Sequence, residues 1–420
     1  MPSGGPTPTE YVLYSSMSAL RYSLRPLHAL VLGLALLGAS AGLIGGCSVP
    51  QPPPELPTPT PGSQNPESER FTGSLTPVRG EVERGFTPLP APPGVIYFVR
   101  ASNLWRIQPD GRGERRLAHL PVSGPPQPSP DGKLVAFISG RDLYVVPSEG
   151  GAPRRLFTGD VAERQRLGWT ADSSMVGIIT VDRTMMGVEK AWGVPVGGGE
   201  PVLITTITNA LVPRGATYER SVKWSPDGKW VLVSSVNNPM KLLRWPLPVG
   251  GGEAGARTIV GGEPDWSPDG QVIVYTESIN GALVLYDVLK HEASPFRNEQ
   301  QHVGTGLGEY AQGPGPLWSP ASSGSSDDPI AYRSHSPEGE PRVSVRTRGA
   351  RELQPLPNLT NNPSWSPSGD KLVVETGHLQ SDPLGLRWVS DGLAVAALSF
   401  TGVHELTPLV QDAQWPAWGK

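Results

Sequence analysis

From Val95 onward the chain alternates apolar and polar positions in short runs broken by turn residues, a period-two pattern that predicts β-strands. Runs such as KLVAFIS (133–139), MVGIITV (175–181), KWVLVSS (229–235), QVIVYTE (271–277), PIAYRS (329–334) and KLVVET (371–376) are each followed by a second strand. Examples of that second strand are RDLYVVP (141–147), MKLLRWPL (240–247) and ALVLYDV (282–288). A short third strand with basic residues ahead of its apolar one, PRRLFT (153–158) or ERRLAHL (114–120), completes the unit. None of these runs has the 3.6-residue period of a helix.

The strands belong to a repeat. Its anchor reads Trp-Ser-Pro-Asp-Gly, clearest at Trp224–Gly228 and Trp266–Gly270, and weaker around Pro128, Trp169, Trp318, Trp365 and Trp415. The anchors are separated by 41, 55, 42, 52, 47 and 50 residues, room for four short strands and their loops. That is the spacing of a β-propeller blade. Residues 95–120 look like a blade without its anchor strand, while 415–420 is an anchor with nothing after it. Joined, they make one blade, so the expectation is an all-β propeller of seven blades closed by its two ends, with six and eight as the alternatives. Trp388-Val389-Ser390-Asp391-Gly392 resembles an eighth anchor, but lies only 23 residues past Trp365 and reads as a hairpin of that blade.

Composition agrees with this architecture. Glycine (51) and proline (48) make up nearly a quarter of the 420 residues, about twice the usual share, which excludes a mainly helical protein. A net charge of −4 provides no broad positive field for nucleic acid.

The N-terminal region has a different pattern. Arg21 and Arg25 precede an uncharged run at 29–46, ALVLGLALLGASAGLIGG, which ends at Cys47, the single cysteine. This is the n-region and h-region arrangement of an export signal, expected to span 1–46, with Met17 as an alternative start. Ile44-Gly45-Gly46-Cys47 resembles the bacterial lipobox. The resemblance implies cleavage before Cys47 and acylation there, hence attachment to a cell-envelope membrane on its non-cytoplasmic side. Residues 48–70 contain eight prolines in 23 positions and cannot build a core. Fully extended at about 3.1 Å per residue, they would span roughly 70 Å. The expected division is therefore signal 1–46, lipidated cysteine and linker 47–94, and propeller 95–420.

The WSPDGK-type anchors with their following strands resemble the propeller repeat of TolB and its relatives, which include propeller domains of prolyl-oligopeptidase-type peptidases. The resemblance covers about 95–420. It implies the fold and a general role in binding, as a docking platform, a peptidase gate or an envelope component. Nothing before 95 resembles the extra N-terminal domain of TolB.

Catalytic chemistry is hard to find in the sequence. The closest pair of the seven histidines, His291 and His302, is 11 apart with no metal-ligand spacing, and no metal or cofactor is expected. There is no G-x-S-x-G elbow. Asp131, Asp227 and Asp269 read as turn residues, and Trp169, Trp224, Trp266, Trp318, Trp365 and Trp415 as packing anchors between blades. The irregular segments 183–193, 206–221, 297–315 and 321–329 are read as loops. The first two hold Met185, Met186, Trp192, Leu211 and Tyr218, the candidate partner-contact residues. The expected function is a noncatalytic, membrane-anchored scaffold for a protein or envelope component. The alternatives are an extracytoplasmic lyase or glycan hydrolase acting at the channel, and a structural subunit.

Intact-mass analysis of membrane-extracted protein should find acyl mass on a chain beginning at Cys47, and Cys47→Ser should abolish it. Mature protein that begins elsewhere and carries no lipid would refute the assignment.

Overall fold

Each anchor folds locally for the same reason. In Ser225-Pro226-Asp227-Gly228 the serine hydroxyl donates to Asp227 Oδ1 at 2.6 Å and accepts the Trp230 amide at 3.0 Å. Asp227 Oδ1 also accepts the Lys229 amide, and Gly228 takes φ +69°, which only glycine adopts without strain. The same bonds recur at Ser129/Asp131 and Ser267/Asp269, and Thr170/Asp172 substitutes for them in the third repeat. The Ser129 hydroxyl bond is the largest influence on the Asp131 carboxyl and holds it below its ordinary range. These aspartates are turn residues, as the sequence indicates.

The computed structural model describes residues 94–420 apart from 186, 209–219, 236–238, 248–254, 278–281, 297–314, 337–339, 350–354, 358, 383–384 and 399–405. The signal, Cys47 and the linker therefore lie outside the described residues. The strands form seven antiparallel sheets. The first blade combines Gln414–Gly419 with Val95–Arg100, Asn103–Ile107 and Arg115–Ala118. Blades two to five run, from inner to outer strand, Gln127–Pro128 to Arg154–Thr158, Gly168–Trp169 to Val202–Ile207, Ser221–Trp224 to Arg257–Ile259, and Gly262–Trp266 to Glu292–Pro295. The sixth has three described strands, Leu317–Trp318, Pro329–His335 and Pro341–Thr347. Its outer edge is met by Leu356 and Leu359, whose amides donate to Val343 and Pro341 carbonyls. The seventh runs Thr360–Trp365, Lys371–Asp382, Gly385–Ala397 and Leu406–Gln411. The protein is thus an all-β, seven-bladed propeller whose first and last strands share a sheet. Trp388 falls in the seventh blade's third strand.

The closing register corrects one anchor. Trp224, Trp266 and Trp365 pair with Val231, Ile273 and Leu372, the second residue of the strand that follows each turn. In the closing sheet the equivalent pair is Trp418 with Ile96, so Trp418 is the anchor and Trp415 lies three residues above it. Both tryptophans stand in a six-residue strand, and only pairing with the distant N-terminal strand distinguishes them.

The anchors join blade to blade. The indole N–H of Trp169 donates to the Gln127 carbonyl at 3.1 Å, that of Trp266 to Lys223 at 3.1 Å, and that of Trp365 to Leu317 at 3.0 Å, each in the preceding blade. Apolar clusters fill the same seams. Ile179, Ala191 and Ile204 of the third blade pack with Val222, Trp224, Val231 and Val233 of the fourth. That approach is so close that a Cβ on Gly168 would lie 1.9 Å from the Val222 carbonyl oxygen.

The indole nitrogen of Trp224 has no hydrogen-bond partner. Trp266→Phe should therefore cost about 1 kcal/mol more than Trp224→Phe, the value of one net hydrogen bond above the shared loss of ring volume. Urea unfolding of both variants checks this, and equal losses would show that the indole bonds contribute nothing.

Candidate functional site

Antiparallel connectivity places the Ser-Pro-Asp-Gly turns at one end of every blade. The opposite end, here called the mouth, carries the loops joining second to third strands and one blade to the next. The candidate contact residue Met185 lies there, 60% exposed, in a turn where Asp182 Oδ1 accepts the amides of Thr184 and Met185. Met186, Leu211 and Tyr218 lie outside the described residues, as do most of the 206–221 and 297–315 segments. Trp192 is not in a loop. The expected loop 183–193 ends at Val188, and Trp192 sits half-buried in strand Glu189–Pro195. Its ring packs on Phe157 of the second blade at 6.2 Å and its N–H donates to Thr180 Oγ1. Gly193 and Pro195 hide the strand pattern in the sequence.

A layer of inner-seam positions near the mouth was not anticipated. Counting three residues past each anchor's partner gives Val99, Ile138 and Ile179 in the first three blades, and Ser234, Thr276, Arg333 and Glu375 in blades four to seven. All seven are buried. Strand alternation aims each at the following blade. Three successive seams are therefore apolar at this level and four are polar. The hydroxyls of Ser234 and Thr276 have no partner, nor do the hydroxyl of Ser221, which pairs across from Ser234, and Oδ1 of Asn361, which pairs across from Glu375. Buried polar atoms of this kind normally find a partner, and native proteins leave few unsatisfied. The signal was present in the strands KWVLVSS, QVIVYTE, PIAYRS and KLVVET, but only register alignment of the repeats brings those polar residues to one level.

The inner strands are strained at the same height. Glu263, Asn362 and Trp415, each three residues before its anchor, adopt φ of +54°, +45° and +54° beside irregularities in strand pairing. Non-glycine residues in this region carry a conformational cost and concentrate at functional sites.

The mouth's charges are largely committed to the ring itself. Glu189, 2% exposed, accepts from Arg220 Nε at 2.8 Å and Ser235 Oγ at 2.5 Å. Deeper in, Lys223 donates to Asp265 at 3.3 Å, and Asp265 accepts the Trp318 amide at 2.9 Å, linking three blades. Glu375 accepts from the Trp415 amide at 2.6 Å, the Trp388 indole at 3.0 Å and the Asn362 side chain. Burial pushes its carboxyl above the usual range against those three bonds. Among the described residues no group of three His, Cys, Asp or Glu side chains converges to hold a metal ion.

No family model matches the chain. A stretch of 163 residues is 28% identical to tricorn protease homolog 1 of Streptomyces coelicolor, covering 34% of this chain and 15% of that protein. The chain thus spans only a small part of that relative's length. An oligogalacturonate lyase solved with manganese is 14% identical, with 71% of this chain and 83% of that one covered at a TM-score of 0.51. A putative TolB from Agrobacterium tumefaciens is 21% identical over 70% of this chain and 98% of that one, at a TM-score of 0.41. At these identities the shared feature is the propeller fold, and proteins with different activities use it.

If the unpartnered hydroxyls are kept for recognition, the fold bears their cost. Thr276→Val and Ser234→Ala should then raise the urea midpoint, each by the equivalent of about 1 kcal/mol, because a buried hydroxyl without a partner is removed. Loss of stability in both variants would mean that these hydroxyls serve the fold.

Proposed function

We propose that the chain is an exported, lipid-anchored propeller that works as a noncatalytic scaffold, binding a protein or envelope component at its mouth. The observation that supports this most is the uneven inner layer of the ring. Packing alone is served equally well by Val99, Ile138 and Ile179 in the apolar seams. In this layer the four polar seams, with unpartnered hydroxyls and three strained inner strands in or beside them, give up stability that the three apolar seams keep.

The described carboxylates bear on the enzymatic alternative. General acid–base catalysis by two carboxylates needs both to face the substrate with separated proton affinities. Glu189, Asp265 and Glu375 instead hold backbone or side-chain donors of their own ring. The relation to a tricorn protease homolog covers too little of that protein to transfer its chemistry.

Membrane attachment rests on the N-terminal signal and Cys47. Among the described residues no helix is long and apolar enough to cross a membrane. The Pro-rich linker then serves as the spacer that carries the ring away from the bilayer.

Met185 is an exposed apolar side chain of the mouth, and it tests the contact surface. Met185→Arg in the full-length chain should leave the thermal transition unchanged and lose the partner recovered by crosslinking from intact cells. Retention of the same crosslinked partner would remove this loop from the contact surface. Trp192→Ala, by contrast, should lower the transition, since that ring packs between blades.

A further inference from the structure

The ring is closed by a six-residue strand, Gln414–Gly419, held at two heights. Low in the seam, the Trp418 amide donates to Ser364 Oγ at 3.0 Å, a bond between neutral groups. Near the mouth, the strand enters through Trp415 with φ +54°, and its amide is taken by Glu375. The hairpin above is tied to the same carboxyl through Trp388, while the Ser390 hydroxyl donates to the Ala413 carbonyl just before the strand. One carboxyl therefore joins the seventh blade, its extended hairpin and the closing strand.

The surroundings of that carboxyl do not suit a bare charge. Glu375 is 1% exposed. The charged groups on the elements around it are engaged elsewhere. His378 pairs with Asp391 at 2.9 Å, Arg387 donates to Gln380, and Arg100 donates to the Gln411 carbonyl and pairs with Glu114. Arg333 faces the other side of the seventh blade, Lys371 starts the far end of the strand, and Asp412 precedes the closing strand. None of these charges is among the influences acting on Glu375.

A second, independent observation comes from the partner strand. Asn361 lies directly across from Glu375 in the strand pair, on the same face, 2% exposed, and its Oδ1 accepts nothing. Directly opposed residues bring their Cβ atoms to about 5 Å, within side-chain hydrogen-bonding reach. An ionised Glu375 offers only acceptors and leaves this oxygen empty. A neutral carboxylic acid has one O–H to give, while its carbonyl oxygen and the remaining lone pairs of its hydroxyl oxygen still accept, one from the Trp415 amide and the other from the Trp388 indole.

We infer that Glu375 is protonated in the closed ring and donates to Asn361 Oδ1, so that seating of the closing strand takes up a proton. The neutral form satisfies the orphan oxygen and avoids burying an uncompensated charge. The proton balance is simple: one proton from solvent binds the carboxylate on folding and returns when the strand leaves. The sign follows from linkage. A group whose folded pKa lies above its unfolded value contributes stability in acid and loses it as pH rises through the folded pKa. The ring lock is thus strongest on the acid side and loosens toward alkali.

The test uses the full-length protein in detergent. Infrared spectra at neutral pH should contain the carbonyl stretch of a protonated carboxyl that is absent in Glu375→Gln and shifted in Asn361→Ala, which removes the acceptor. Urea stability of the wild type should fall as pH rises above the ordinary carboxylate range, and Glu375→Gln, whose amide can donate to Asn361 in place of the acid, should lack that fall. The inference is overturned if the wild type lacks that band at neutral pH. It is equally overturned if Glu375→Gln keeps the wild-type pH slope. Should Glu375→Gln fail to fold, the wild-type band and its response to Asn361→Ala decide.

Discussion

The structure depends on one repeated contact, the anchor tryptophan that reaches into the preceding blade. A four-stranded sheet of this size cannot bury both of its faces alone, and every apolar cluster here is assembled across a seam rather than within a blade. The indole supplies ring area to that seam and, at Trp169, Trp266 and Trp365, a hydrogen bond to the neighbour's innermost strand. A chain of nearest-neighbour contacts of this kind leaves one face of each end blade unpacked unless its two ends meet. Joining Val95–Arg100 to Gln414–Gly419 achieves this, and no blade is left with an unpacked face.

Within that uniform scaffold the channel is asymmetric. The three seams joining blades one to four carry valine and isoleucine at this level, and the four seams from blade four round to blade one carry serine, threonine, arginine and glutamate. Backbone bulges with positive φ occur on the inner strands of the fifth, seventh and closing blades, within the polar arc or at its border. Repeats that differ only in surface loops would not need such changes in their buried layer. The cost falls on side chains buried between blades, toward the mouth end of the ring.

The fold was legible because its signals are local. Ser225, Asp227 and Gly228 specify a turn through bonds spanning five residues or fewer, and the strands after each turn alternate clearly enough to be counted. Repetition then supplied the architecture, including the blade shared by both ends. Two readings failed where local signals were ambiguous. Trp192 looked like a loop residue because glycine and proline interrupt its strand, and Trp415 looked like the closing anchor because Trp418 stands three residues away in the same short motif.

The sequence by itself determined that this is a repeating all-β ring with an export signal pattern ahead of it, since turn chemistry and period-two patterning act over a few residues. Only the tertiary structure decided which tryptophan closes the ring, which side chains share a seam, and that Asn361 stands across from Glu375. Those facts depend on strand register and on contacts 14 to more than 300 residues apart in the chain. A one-residue shift in register would turn every such side chain to the opposite face.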